Sequence, residues 1–131
     1  MYYFVQRGLL MASTVTYSIK GTDRVLALLD TTKKQTQMKN AVKYYGDTMK
    51  REVMSRTPVD TWFLHDSYHG YWNGAYSYKL TNRAKNTKGV YYDKFVEYGT
   101  RKMKGYHMYS DGAKIVRPKF QDKIKSIIAG R

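Results

Sequence analysis

The chain has 131 residues and carries 24 Lys and Arg against 10 Asp and Glu, a formal charge of +14, with no cysteine. That length fits one domain with a modest core. The lack of cysteine excludes a disulfide framework, a thiolate nucleophile and a Cys-based zinc site, and suits a reducing compartment.

The 14 tyrosines and two tryptophans beside so many cations suit a surface that meets a partner. Lysines can neutralise phosphates while rings stack on bases, or the same surface can meet an acidic protein. Residues 1–12 contain "YYFV" and a second methionine at Met11, and read as an added extension or arm, or as an over-long start ahead of Met11. "FVQRGLLMA" is too short an apolar run to span a bilayer and lacks the basic start and cleavage site of a signal peptide, so a soluble protein with no membrane partner is expected.

"TVTYSIKG" alternates as a strand ending at Gly21. Thr22 or Asp23 can cap a short helix with Val25, Leu28 and Leu29 on one face. Met38, Ala41, Val42, Tyr45, Met49 and Val53 then recur at helical spacing, with Lys39, Lys43, Lys50 and Arg51 largely off that stripe. Pro58 ends this long helix, because the residue before a proline is pushed out of the α region.

"FLHDSYHGYWNGAYSYKLT" predicts a β-hairpin. A three-residue loop, Trp72 to Gly74 with Gly74 left-handed, keeps Leu64, Tyr68, Tyr76, Tyr78 and Leu80 on one face. "VYYDKFVEYGT" leaves helix and strand open, and "RKMKGYHMYSDGAK" reads as a basic loop long enough to be a functional arm. In "IVRPKFQDKIKSIIAG", Pro118 suits a first helical turn, Phe120, Ile124, Ile127 and Ile128 form a stripe, and Gly130 is a stop. The expected fold is α+β, with a long amphipathic helix and a C-terminal helix packed on a small, largely antiparallel β-sheet, residues 13–131 forming one domain.

Catalytic chemistry is not expected. On a strand, His65 and Ser67 would face one way and Asp66 the other, so the three cannot converge as a triad. His65 and His69 would stand about 13 Å apart along that strand, too far for one metal ion. His107 is alone in its loop; Asp47, Glu52, Asp60, Asp66, Asp93 and Glu97 form no metal signature, and no phosphate-binding glycine loop occurs. No enzyme activity, metal or cofactor is therefore assigned.

Two segments are more specific than composition. "TPVDTWFLHDS", comprising Thr57, Pro58, Val59, Asp60, Thr61, Leu64 and Ser67 among its residues, resembles the Pro-Val-Asp-Thr-Gly signature of a family of minor tail components of tailed bacteriophages. "FVEYGT", with Val96, Glu97, Tyr98, Gly99 and Thr100, resembles that family's second signature, and Arg117-Pro118 resembles the opening of its last helix. The resemblance runs in order from about Gly21 to the C-terminus. Trp62 departs from it where the family places glycine, and "YHMYSDGAKI" is longer than the usual link.

This resemblance implies a tail-completion or head-to-tail joining subunit that forms a ring, hexameric by analogy with tail tubes, at the neck of a virion assembled in the host cytoplasm. Implied partners are further copies of the chain and other neck and tail proteins, namely a connector or adaptor and a tail terminator or tube, with non-specific contact to channel DNA. Within the motif, Asp60 or Thr61 can bond backbone amides at the turn. Glu97 can cap, pair with a lysine, or stand solvated. Arg101, Lys102 and Lys104 flank Gly99-Thr100 in a glycine-containing loop, and are the candidate partner-binding residues. The competing function is a small basic nucleic-acid-binding protein, although the cations are spread along the chain without a recognised nucleic-acid motif.

Overall fold

A computed structural model describes residues 2–8, 15–21, 23–58 and 62–130. Four strands form one sheet in the order β1 (Tyr2–Gly8), β2 (Val15–Gly21), β4 (Ser77–Asn82), β3 (Tyr68–Trp72). Every pairing is antiparallel, with Tyr2 opposite Gly21, Tyr17 opposite Leu80 and Tyr68 opposite Asn82. Residues 2–8, within the segment set apart in the sequence as an extension, are thus the backbone of an edge strand.

Helix α1 (Asp23–Leu26) leads to the 24-residue α2 (Thr32–Ser55). Thr31 caps α2, its hydroxyl accepting from Lys34 N–H at 3.1 Å, which satisfies a donor that the first helical turn leaves free. The buried face of α2 is Met38, Ala41, Val42, Gly46, Met49 and Val53, the anticipated stripe with Tyr45 moved to its half-buried margin. Arg56 is the C-cap, and Thr57 N–H still reaches the Met54 carbonyl at 3.1 Å. Pro58 has no N–H to continue the ladder. Val25 of α1 and Leu29 just beyond it enter the core, whereas Leu28 is 46% exposed and does not share their face.

The C-terminal helix α5 (Met108–Ile128) packs antiparallel to α2: Tyr45 meets Phe120 at 5.7 Å between ring centroids, and Gly112 lies against Val53. Helix α2 lies across β2, β4 and β3, while α5 beside it reaches β1. Their shared core includes Met38, Met49, Tyr78, Leu80, Val116, Phe120, Ile124 and Ile127. The fold is α+β in the expected arrangement, both long helices packing on a small antiparallel sheet. No helix among the described residues is long and apolar enough to cross a membrane.

Tyr78 explains two glycines. Its ring occupies the space where a Cβ on Gly46, in mid-helix, or on Gly70, in β3, would stand. A glycine inside a helix costs about 1 kcal/mol relative to alanine; here it admits an aromatic ring between helix and sheet.

Three expectations need correction. Residues Trp62–Asp66 form a short helix, α3, where an extended strand was expected. It is held from outside: Asn82 Nδ2 donates to the Leu64 carbonyl at 2.9 Å, and Ser67 Oγ donates to the Phe63 carbonyl. The hairpin keeps the anticipated pairing of even with even residues, but the loop lies further on. Asn73 N–H bonds the Ser77 carbonyl at 2.8 Å, so the loop is Gly74 to Tyr76, and Tyr68, Tyr78, Leu80 and Asn82 are the buried residues of the two strands. The third concerns α5, which starts ten residues before Pro118 and carries that proline in its interior. Pro118 cannot bond the Lys114 carbonyl, and it lies on the exposed side, where water can satisfy that oxygen.

Candidate functional site: a buried acid pair below a basic hairpin

Helix α4 (Asp93–Tyr98) settles the ambiguity of "VYYDKFVEYGT", and β5 (Gly99–Thr100) pairs with β6 (Met103–Lys104) in a small hairpin. Asp93 and Glu97 are one helical turn apart on α4, and both are fully buried. Glu97 is not a solvated acid. Its Oε1 accepts Tyr109 N–H at 2.7 Å, and its Oε2 accepts Ser110 Oγ at 2.8 Å and Ser110 N–H at 3.4 Å.

Those two amides belong to the first turn of α5, whose N-cap, His107, is left-handed and makes no side-chain cap bond. Glu97 therefore caps α5 from another helix. A carboxylate there satisfies orphan donors and faces the positive end of the helix dipole. Asp93 holds the same turn by its ring: Tyr109 OH donates to Asp93 Oδ2 at 2.9 Å.

Backbone bonds lock the approach. Tyr106 N–H meets the Val96 carbonyl at 2.7 Å and His107 N–H the Glu97 carbonyl at 3.1 Å. Gly99 has φ 84°, and a Cβ on it would stand 2.6 Å from Gly105 N; a Cβ on Gly105 would stand 2.6 Å from the Glu97 carbonyl oxygen. Two chain segments cross here with no room for side chains, which is why glycine follows Glu97-Tyr98 and recurs at Gly105.

The other quoted segment reaches the same place. Thr57 Oγ1 donates to the Val53 carbonyl at 2.8 Å and, its proton so placed, accepts from Tyr68 OH at 2.8 Å. The Met108 sulfur lies 3.3 Å from Thr57 Oγ1 and 3.1 Å from Tyr68 OH. Tyr68 meets Tyr109 edge-to-face, centroids 5.8 Å apart. Thr57 and Glu97 are thus joined through Tyr68, Met108 and Tyr109, with Leu64 buried nearby in the core cluster.

Val96 packs at the core margin, and Pro58 and Ser67 are half-buried. Val59, Asp60 and Thr61 lie outside the described residues. Arg117 and Pro118 are exposed on α5, about 12 Å along the helix from Tyr109, and do not join the network.

Burial pushes the Tyr68 phenol far above its ordinary value of 10, and does the same to Tyr109, where the neighbouring Asp93 carboxylate adds to it. Because these folded-state values are raised, the associated stability is complete below about pH 10 and is lost as pH climbs from there toward the folded values. Each phenol contributes a slope of about 1.4 kcal/mol per pH unit. These phenols leave the urea midpoint unaffected between neutral pH and about pH 10, above which it should fall steeply. Tyr68→Phe should be shallower by about one phenol's share; an unchanged slope would show that Tyr68 ionises freely in the folded protein.

Above this buried layer the hairpin is open to solvent. Arg101 and Lys102 form its turn, Lys102 N–H bonding Thr100 Oγ1 at 3.2 Å, and Lys104 is exposed beside them. Tyr98, Met103 and Tyr106 flank it as exposed apolar groups. The site therefore offers a cationic tip on an apolar base, held by a rigid corner.

The His65-Asp66-Ser67 trio lies at the end of α3 and not on a strand, so both strand-based arguments about it lose their premise. His65 Nδ1 and Asp66 Oδ1 are 2.8 Å apart, while the Ser67 hydroxyl is bonded to the Phe63 carbonyl. Among the described residues no group of three or more His, Cys, Asp or Glu is placed to hold a metal ion.

Sequence reasoning missed Tyr109 and Ser110 as partners of Glu97, and Asp93 as the acceptor for the Tyr109 hydroxyl. The signal was the four-residue spacing of Asp93 and Glu97, which puts both on one face of any helix. Compared with known proteins, the chain matches no family model, and no curated protein or solved structure matches it significantly.

Proposed function

We propose that the chain is a structural subunit of a tailed-phage particle, a tail-completion or head-to-tail joining protein that assembles as a ring at the neck. The observation that carries this reading is the meeting of its two signature-like segments: Thr57 and Glu97, 40 positions apart in sequence, are connected through Tyr68, Met108 and Tyr109. Residues in such a buried network hold a shape and do not meet a substrate. What they hold is the exposed hairpin carrying Arg101, Lys102 and Lys104.

On this reading the hairpin is the joining element, and its cations contact an acidic surface of an adjoining ring or the phosphates of DNA in the channel. Exposed interfacial charges act mainly on association rate and salt dependence. Replacing Arg101, Lys102 and Lys104 together by Glu should leave melting of the isolated subunit unchanged while heads and tails fail to join stably and titre collapses. Normal titre in the triple variant would remove the hairpin from the joining surface. Purified protein that never forms rings, yet binds random duplex DNA with a steep salt slope, would favour the nucleic-acid-binding function instead.

A further inference from the structure

We propose that neighbouring copies join by strand addition, the outer edge of β3 in one copy pairing antiparallel with the outer edge of β1 in the next; this rests on the ring reading and names its interface. The order β1-β2-β4-β3 with antiparallel pairing at each step makes the two edge strands run in opposite directions. A second copy set beside the first therefore continues the alternation without being turned over. Such a contact is head-to-tail, the kind that closes into rings when the rotation between copies permits.

The β3 edge is prepared for pairing. Arg83 N–H bonds the Ser67 carbonyl at 2.9 Å and Asn73 N–H the Ser77 carbonyl at 2.8 Å. Both bonds fall in the register that sets Tyr68 opposite Asn82, so odd-numbered residues of β3 bond toward β4. Tyr68, Gly70 and Trp72 then direct their N–H and C=O groups away from the sheet, since bonded and non-bonded positions alternate in an antiparallel pair.

Natural proteins guard exposed edges with lysine, proline, inward charge or a bulge. The sequence of β3, "YHGYW", has no lysine, proline or acid, and its Tyr71 and Trp72 are 37% and 43% exposed. An unguarded aromatic edge in a chain otherwise rich in lysine marks a surface meant to be covered. Pairing β3 with β1 covers both edges of every copy, whereas a two-fold β3–β3 dimer leaves β1 open.

The test is Trp72→Pro in the full-length chain. Proline there removes an outward N–H without removing a bond to β4, a placement that edge strands tolerate. Native mass spectrometry should find rings for the parent and monomer for the variant, with matching circular dichroism and melting lowered by no more than loss of the edge-to-face Trp72–Tyr78 contact accounts for. Hydrogen exchange on the parent gives a second readout independent of the variant's folding: amides of Tyr68, Gly70 and Trp72 should exchange roughly 100-fold or more slowly in rings than in dilute monomer.

A folded variant that still forms rings, or edge amides that exchange equally fast in both states, would overturn the strand-addition interface and leave the ring reading standing. Two-fold dimers that protect β3 alone would overturn the head-to-tail pairing. A parent that never forms rings, even with neck proteins present, would overturn the ring reading and this interface with it.

Discussion

Met49→Asp and Ile124→Asp should each yield insoluble protein. Met49 and Ile124 are both 1% exposed, on the facing helices α2 and α5. Each change removes about 2–3 kcal/mol of apolar burial and places a carboxylate where it has no built partner, costing several kcal/mol more. Together these approach the whole stability of a domain of this size, about 5–15 kcal/mol. Met49→Leu, which nearly conserves volume, should cost under about 1.5 kcal/mol and stay soluble. The soluble fraction after expression, followed by far-ultraviolet circular dichroism, decides it. Folded, soluble aspartate variants would mean that the α2–α5 interface is not the core.

Glu97→Ala should be the most damaging change outside the apolar core. It strips the acceptor from the amides of Tyr109 and Ser110 and from the Ser110 hydroxyl. Orphaned buried donors cost about 1–3 kcal/mol each, and loss of a helix cap costs about 1 kcal/mol. Allowing for water entering the vacated space, a net loss of about 3 kcal/mol is expected, lowering the melting temperature by roughly 10 °C. Glu97→Gln keeps one acceptor oxygen and should lie between the two. Amide exchange at Tyr109 and Ser110 should speed up in step with the melting change. A Glu97→Ala variant melting within a degree or two of the parent would show that α5 finds its start without this acid.

The uneven legibility of this sequence has a physical basis. The α2 stripe from Met38 to Val53 was readable because 24 helical residues repeat the same period several times. The inward face of the hairpin was readable from parity alone, even with its loop placed too early. Helix α3 spans five residues, too few to show a period, and its Leu64 carbonyl is held by Asn82 from another element. The start of α5 was hidden for a related reason. Sequence reading looks for a Ser, Thr, Asp or Asn cap next to the helix, whereas the cap here is Glu97, acting from a different helix. Gly112 and Pro118 further disguised a stripe that runs from Met108 through Val116 to Ile127. The sequence leaves Glu97 open between capping, pairing with a lysine and standing solvated, because acids are rarely fully buried unless partnered and its partners, Tyr109 and Ser110, lie in a stretch that reads as loop.

The place of α5 after α2 and α4 in chain order also bears on synthesis. It covers one side of α2 and supplies Met108 and Tyr109 to the network reaching Thr57 and Glu97, yet it is made only after α2, the sheet and α4. Until then α2 and the sheet have only part of their apolar surface covered, and the cap acid on α4 has no helix to cap. Contacts between such distant segments delay folding until α5 has been made. A nascent chain stalled before Met108 would present the Met38-to-Val53 face of α2 to other chains until its 21-residue partner is made.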